Sequence, residues 1–105
     1  MSAPGSDFRS FVGSLSAGAA SALVEVEKLR SGERQGDQDE GRAPSLQEVQ
    51  QQVDAALAVA RQLIDTLVML EEKTKGNLSS EETEALRSSL TNLRISFVRA
   101  STPTN

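Results

Sequence analysis

The 105-residue chain carries eleven Lys and Arg against fifteen Asp and Glu, for a formal charge of −4, and has no His, Cys, Trp or Tyr. That inventory excludes disulfides, thiolate–imidazole zinc sites, His-activated Ser or Cys nucleophiles and haem ligation. It also opposes sequence-independent attraction to nucleic-acid phosphates, and leaves only Phe8, Phe11 and Phe97 to stack on bases, so no nucleic-acid partner is expected.

At this size a domain buries only about two thirds of its unfolded surface, so a second copy or another partner would add stability. The uncharged run from Ser10 to Val24 is too short and too rich in Ser and Gly for a membrane span. It also lacks the positive leader of a secretory signal, since Asp7 offsets Arg9. A cytoplasmic protein is expected, with a membrane partner disfavoured.

In chain order, residues 1–6 read as a loose polar leader and Asp7 as the N-cap of a first helix spanning 7–30. Phe8, Phe11, Val12, Leu15, Ala19, Ala22, Leu23 and Val26 recur at the helical period, giving one apolar face. Ser14, Gly18 and Ala22, four apart, permit close approach of another helix, although each glycine costs about 1 kcal/mol of helix propensity.

Residues 31–44 contain nothing that anchors a core and read as a flexible acidic linker, which loosens the coupling of the first helix to the rest. Ser45 with Glu48 forms a capping box that opens the second helix. Its seam runs Leu46, Val49, Val53, Ala56, Ala60, Leu63, Leu67, Leu70, in alternating steps of three and four, and Leu57 and Ile64 widen it. Val59, Val68 and Met69 fall outside this stripe, so one partner helix cannot cover the C-terminal half.

Gly76 reads as the left-handed residue closing that helix, with Lys73 and Lys75 at the negative end of its dipole. Ser79 with Glu82 opens a third helix, and the short connection makes the pair antiparallel. Leu86, Leu90, Leu93 and Phe97 form its stripe. Pairing across the turn sets Leu86 by Leu70, Leu93 by Leu63 and Phe97 over Ala60 and Ala56, matching large to small. The second helix is the longer, so Leu46, Val49 and Val53 overhang, to be covered by the first helix folding back or by a second chain.

The segment Ala60-Arg61-Gln62-Leu63-Ile64-Asp65-Thr66-Leu67, then Met69-Leu70-Glu71-Glu72-Lys73-Thr74-Lys75-Gly76-Asn77-Leu78 and Glu81-Glu82, resembles a small bacterial family catalogued only as a domain of unknown function. Asp7-Phe8, Phe11-Val12, Ser14-Leu15 and Ala22-Leu23 match its opening, and Leu93-Arg94 with Phe97-Val98 its end. The Lys-Thr-Lys-Gly-Asn-Leu turn is the specific part. After Leu23 the chain departs from the family pattern: Val26-Glu27-Lys28-Leu29-Arg30 prolongs the helix and the linker is longer. The resemblance implies a cytoplasmic helical bacterial protein without an assigned activity.

The expected architecture is therefore all-α: a long antiparallel hairpin over 45–100 plus an N-terminal helix, completed by self-association, with residues 101–105 a tail. The candidate interaction surface is Val59, Ile64, Val68, Met69, Ile95 and Val98, and a homodimer is the favoured partner state, ahead of an unidentified protein or a membrane surface docking on the Phe8, Phe11, Leu15 face. Lys73, Lys75 and Asn77, with the amides opening the third helix, form a candidate anion turn, although their order differs from a phosphate loop. No catalytic residue, cofactor or metal is expected: the acidic residues crowd helix ends, no His is present, and a hairpin offers little concavity.

Overall fold

The structure, a computed structural model, describes residues 7–31 and 45–102. The leader, the linker beyond Ser31 and the tail beyond Thr102 lie outside the described residues. Three helices and no strand are found among those described: α1 (Phe8–Ser31), α2 (Leu46–Lys73) and α3 (Ser80–Ser101). The protein is all-α.

Local hydrogen bonds fix the helix starts. The Ser10 amide donates to Asp7 Oδ1 at 3.1 Å and the Phe11 amide to the Asp7 carbonyl at 3.1 Å, so Asp7 caps α1. The bonds from Ser10 hold the Asp7 carboxyl below its ordinary acidity range. Both expected capping boxes are present. The Glu48 amide donates to Ser45 Oγ at 3.1 Å while Glu48 Oε1 accepts from the Ser45 amide at 3.2 Å, and Glu82 and Ser79 repeat the exchange at 3.1 and 2.9 Å.

The turn differs in detail from its expected form. α2 ends at Lys73, and Thr74 caps it: both the Thr74 amide (3.0 Å) and its hydroxyl (2.6 Å) donate to the Leu70 carbonyl. Gly76 does not close the helix itself. It occupies the third position of a following β-turn, Thr74 to Asn77, closed by the Asn77 amide on the Thr74 carbonyl at 2.8 Å. Its φ of 86° is the conformation that position demands in a type II turn, which a side chain resists.

Three contacts set the directions of packing. Arg9 pairs with Glu81 at 3.7 Å, joining the starts of α1 and α3, and the Arg30 guanidinium donates to the Ala100 carbonyl, joining their ends. These two helices are parallel. Gly18, near the middle of α1, faces Leu63 of α2 so closely that an added Cβ would lie 3.1 Å from Leu63 Cδ1. The chain thus runs up, down and up, with α2 antiparallel to both neighbours.

The core is shared almost evenly. α1 supplies Val12, Ala19, Leu23, Val26 and Leu29; α2 supplies Val53, Ala60, Ile64 and Leu67; α3 supplies Leu86, Leu90, Leu93 and Ala100. Leu67, Leu86, Val12, Val26 and Val53 are the largest side chains fully enclosed. α1 is therefore part of the core and its packing on α2 is the most extensive in the molecule.

The prolongation after Leu23 serves this docking, because Val26 and Leu29 are buried and Arg30 reaches the α3 terminus. Of the three residues expected to overhang, Val53 is enclosed and Val49 is half-buried against the core. Leu46 alone stands free, at 88 % exposure.

Candidate functional site

The six residues of the expected interaction surface do not share one face. Ile64 belongs to the core at 8 % exposure, and this corrects its assignment to the surface. The physical reason is the second neighbour of α2: with α1 on one side and α3 on the other, the buried stripe is wide enough to absorb the residue flanking the seam. Val68 is likewise half-buried against the core.

Val59 and Val68, nine residues apart, fall about two and a half turns apart and so on opposite sides of α2. Val59, at 51 % exposure, and Met69, at 46 %, lie on the outer side of α2. Ile95 and Val98 are also exposed, but on α3, where Ile95 stands nine residues from the buried Leu86 and hence on the far side of that helix. Outer faces of different helices in a three-helix arrangement diverge. The structure accordingly offers two separate apolar strips, one on α2 and one on α3.

On α1 the Phe8, Phe11, Leu15 face is largely spent on packing. Phe8 and Leu15 lie against the core, leaving Phe11 half-exposed, with Val24 exposed further along.

Lys73, Lys75 and Asn77 are exposed around the turn. Of the amides opening α3, those of Ser79 and Glu82 are taken by the capping box, and Glu81 and Glu82 place carboxylates in the same first turn. An anion there would meet negative side chains beside the helix dipole. Lysines at the carboxyl end of α2 are accounted for by that end's partial negative charge.

The surface hollows are shallow. One of about 480 Å³ runs along α2, lined by Ala58, Arg61, Gln62, Asp65, Thr66 and Met69. Another, of about 800 Å³, lies between the carboxyl ends of α1 and α3, where Val24, Glu27, Arg30 and Arg99 flank Leu23 and Ala100. No polar or charged residue is buried among the described residues, so neither hollow holds a desolvated acid or base. Among those residues there is also no group of three or more acidic side chains placed to hold a metal ion, and no helix long and apolar enough to cross a membrane.

A family model described as "Domain of unknown function (DUF1844)" matches residues 5–99. The chain belongs to this family. No curated protein and no solved structure matches it. The DUF1844 match spans all of α1 and α2, the turn between α2 and α3, and nearly all of α3. For this DUF1844 member the feature that sequence reasoning missed is the Arg30–Ala100 link, while Ile64, which widens the seam, belongs to the core and not also to the surface. Leu29 and Arg30, apolar and basic at the end of an amphipathic helix, were the available signal.

Proposed function

We propose that this DUF1844 protein is a non-enzymatic interaction module of the bacterial cytoplasm that associates with itself through its hairpin, forming a homodimer. The observation that carries the reading is the apolar surface left on the hairpin after three helices have closed one core: Val59 and Met69 on α2, Ile95 and Val98 on α3. A helix whose inner side is already satisfied gains nothing intramolecularly from such residues, and association covers them. The shallow hollows, whose charged residues are all exposed, favour a docking role over catalysis.

Light scattering on the full chain across a concentration series tests the reading. The mass is expected to rise from that of one chain toward that of two between low and high micromolar concentration. A strictly single-chain mass throughout would overturn it.

A second reading has one observation in its favour. Phe11 and Val24 are exposed on α1, which suits a different protein, or a membrane surface, docking there. Phe11→Glu would abolish such binding, measured by vesicle co-sedimentation or by co-purification from the native host, and leave the hairpin-mediated homodimer intact.

A further inference from the structure

The outer face of α2 is complementary to itself when inverted. Ala55, Val59, Gln62, Thr66 and Met69 recur in alternating steps of four and three, the spacing of a second seam, displaced around the helix from the one that fills the core. Ala55, Val59, Gln62 and Met69 are exposed, and Thr66 is half-exposed. The Thr66 hydroxyl donates to the Gln62 carbonyl at 2.8 Å, so its hydrogen-bonding need is met along the helix and its methyl remains for packing.

We infer that two copies of the chain pair α2 against α2, antiparallel, about a two-fold axis passing beside Gln62. This rests on the self-association proposed above and assigns it a face and an orientation. Three matches support it, centred at Gln62, at Leu63 and between the two, within one residue of each other.

The first is size. Met69 lies seven residues after Gln62 and Ala55 seven before, so an antiparallel pair sets the Met69 of each copy on the other's Ala55, with Ala58 alongside. Ala58 lines the near end of the shallow hollow along this face, and the long thioether packs over the two alanines.

The second is charge. Arg61 and Asp65 lie on one flank of this face, and a two-fold axis across antiparallel helices brings like flanks together. Arg61 of each copy then meets Asp65 of the other, twice over. Within one chain these groups form only an exposed pair at 3.9 Å, leaving both free to engage a second partner.

The third is apolar. On the opposite flank Val59, three residues before the centre, meets the methyl of the other copy's Thr66, four after it.

The parallel alternative sets Met69 beside Met69 and carries the Arg61 and Asp65 flanks of the two copies to opposite sides of the contact, losing the first two matches. The α3 strip shows no comparable pattern: Ile95 and Val98 are flanked by Arg94 and Arg99, which repel their own copies. From Ala55 to Met69 the contact is about 21 Å long, which places it among small, reversible interfaces.

The chain has no cysteine, so a single Gln62→Cys substitution gives one thiol per copy and one way to form a disulfide. Gln62→Cys in the full chain is expected to cross-link into a dimer under mild oxidation, while Ile95→Cys, similarly exposed on α3, stays monomeric. A charge test reads the same geometry without a covalent trap. Asp65→Arg is expected to weaken dimerisation by about tenfold or more, and the double swap Arg61→Asp with Asp65→Arg to restore it, since the reciprocal pairs are rebuilt with exchanged signs.

Circular dichroism of each variant guards against loss of the fold. If the wild type dimerises but Gln62→Cys cross-links no better than Ile95→Cys and Asp65→Arg leaves the affinity unchanged, this face is wrong and self-association stands. If the wild type remains a single chain at every concentration, both are wrong.

Discussion

Two helix pairs in this molecule share α2 and differ sharply. α2 and α3 are joined by the shortest connection, Thr74 to Ser79, and pack least; α1 and α2 are separated by the longest, and pack most. A tight turn dictates direction, since helices joined by a few residues must run back along one another, but it does not dictate how closely they approach. Approach is set by side-chain size at the contact. α1 brings Gly18 against Leu63, with Ala19 fully buried and Ala22 against the core, whereas α3 meets the bundle through three leucines and Phe97, with a small residue, Ala100, only at its end. Small residues let the surfaces of α1 and α2 mesh along their length, and the larger side chains of α3 hold its axis further out.

If α1 were an accessory to a self-sufficient hairpin, truncating its core would be silent in global unfolding. The contrary is expected. Leu23→Ala on α1 should destabilise the whole domain by about 2 to 5 kcal/mol, the range for a buried leucine, and should match Leu90→Ala on α3 in chemical denaturation. A cost for Leu90→Ala alone would break the comparison.

The close approach at Gly18 can be probed against its neighbour Gly13, whose added Cβ would meet nothing within 4 Å. Gly18→Leu forces atoms into Leu63 and should cost about 1 to 3 kcal/mol. Gly13→Ala should stabilise by up to about 1 kcal/mol, because it removes the glycine penalty in open space. Opposite signs in thermal melts, from two glycines in one helix, would locate the α1–α2 contact. A smaller effect sharpens the inner side of α1: Ser16 Oγ is buried without a partner, so Ser16→Ala should raise stability by about 1 kcal/mol.

Much of this was legible in the sequence because it is local. The capping boxes at Ser45 and Ser79 need only a hydroxyl and a carboxylate three residues apart, and the leucine stripe of α3 needs only its own period. The weight of α1 was not legible. A stripe as wide as that of α2 declares that more than one neighbour is needed without naming it, and small residues in α1 look equally like weak helix and like close contact. The same ambiguity misplaced Ile64: flanking the seam, it reads as surplus against one partner and as core against two. The turn is legible in kind but closes two residues earlier than its glycine suggests, since Thr74 caps the helix through both its amide and its hydroxyl, and that leaves Gly76 to the following turn. Of the interaction surface, Val59 and Met69 remain together on α2, and separation from Ile95 and Val98 follows only once the third helix is placed.

The claim on which the rest depends is that α1 closes the core, because that is what leaves the outer face of α2 as its free side. Amide hydrogen exchange along the native chain tests it most directly. The account predicts that Ala19, Leu23 and Val26 exchange only through global unfolding, in the same class as Leu67 and Leu90. Fast, independent exchange throughout α1, with α2 and α3 still protected, would contradict it.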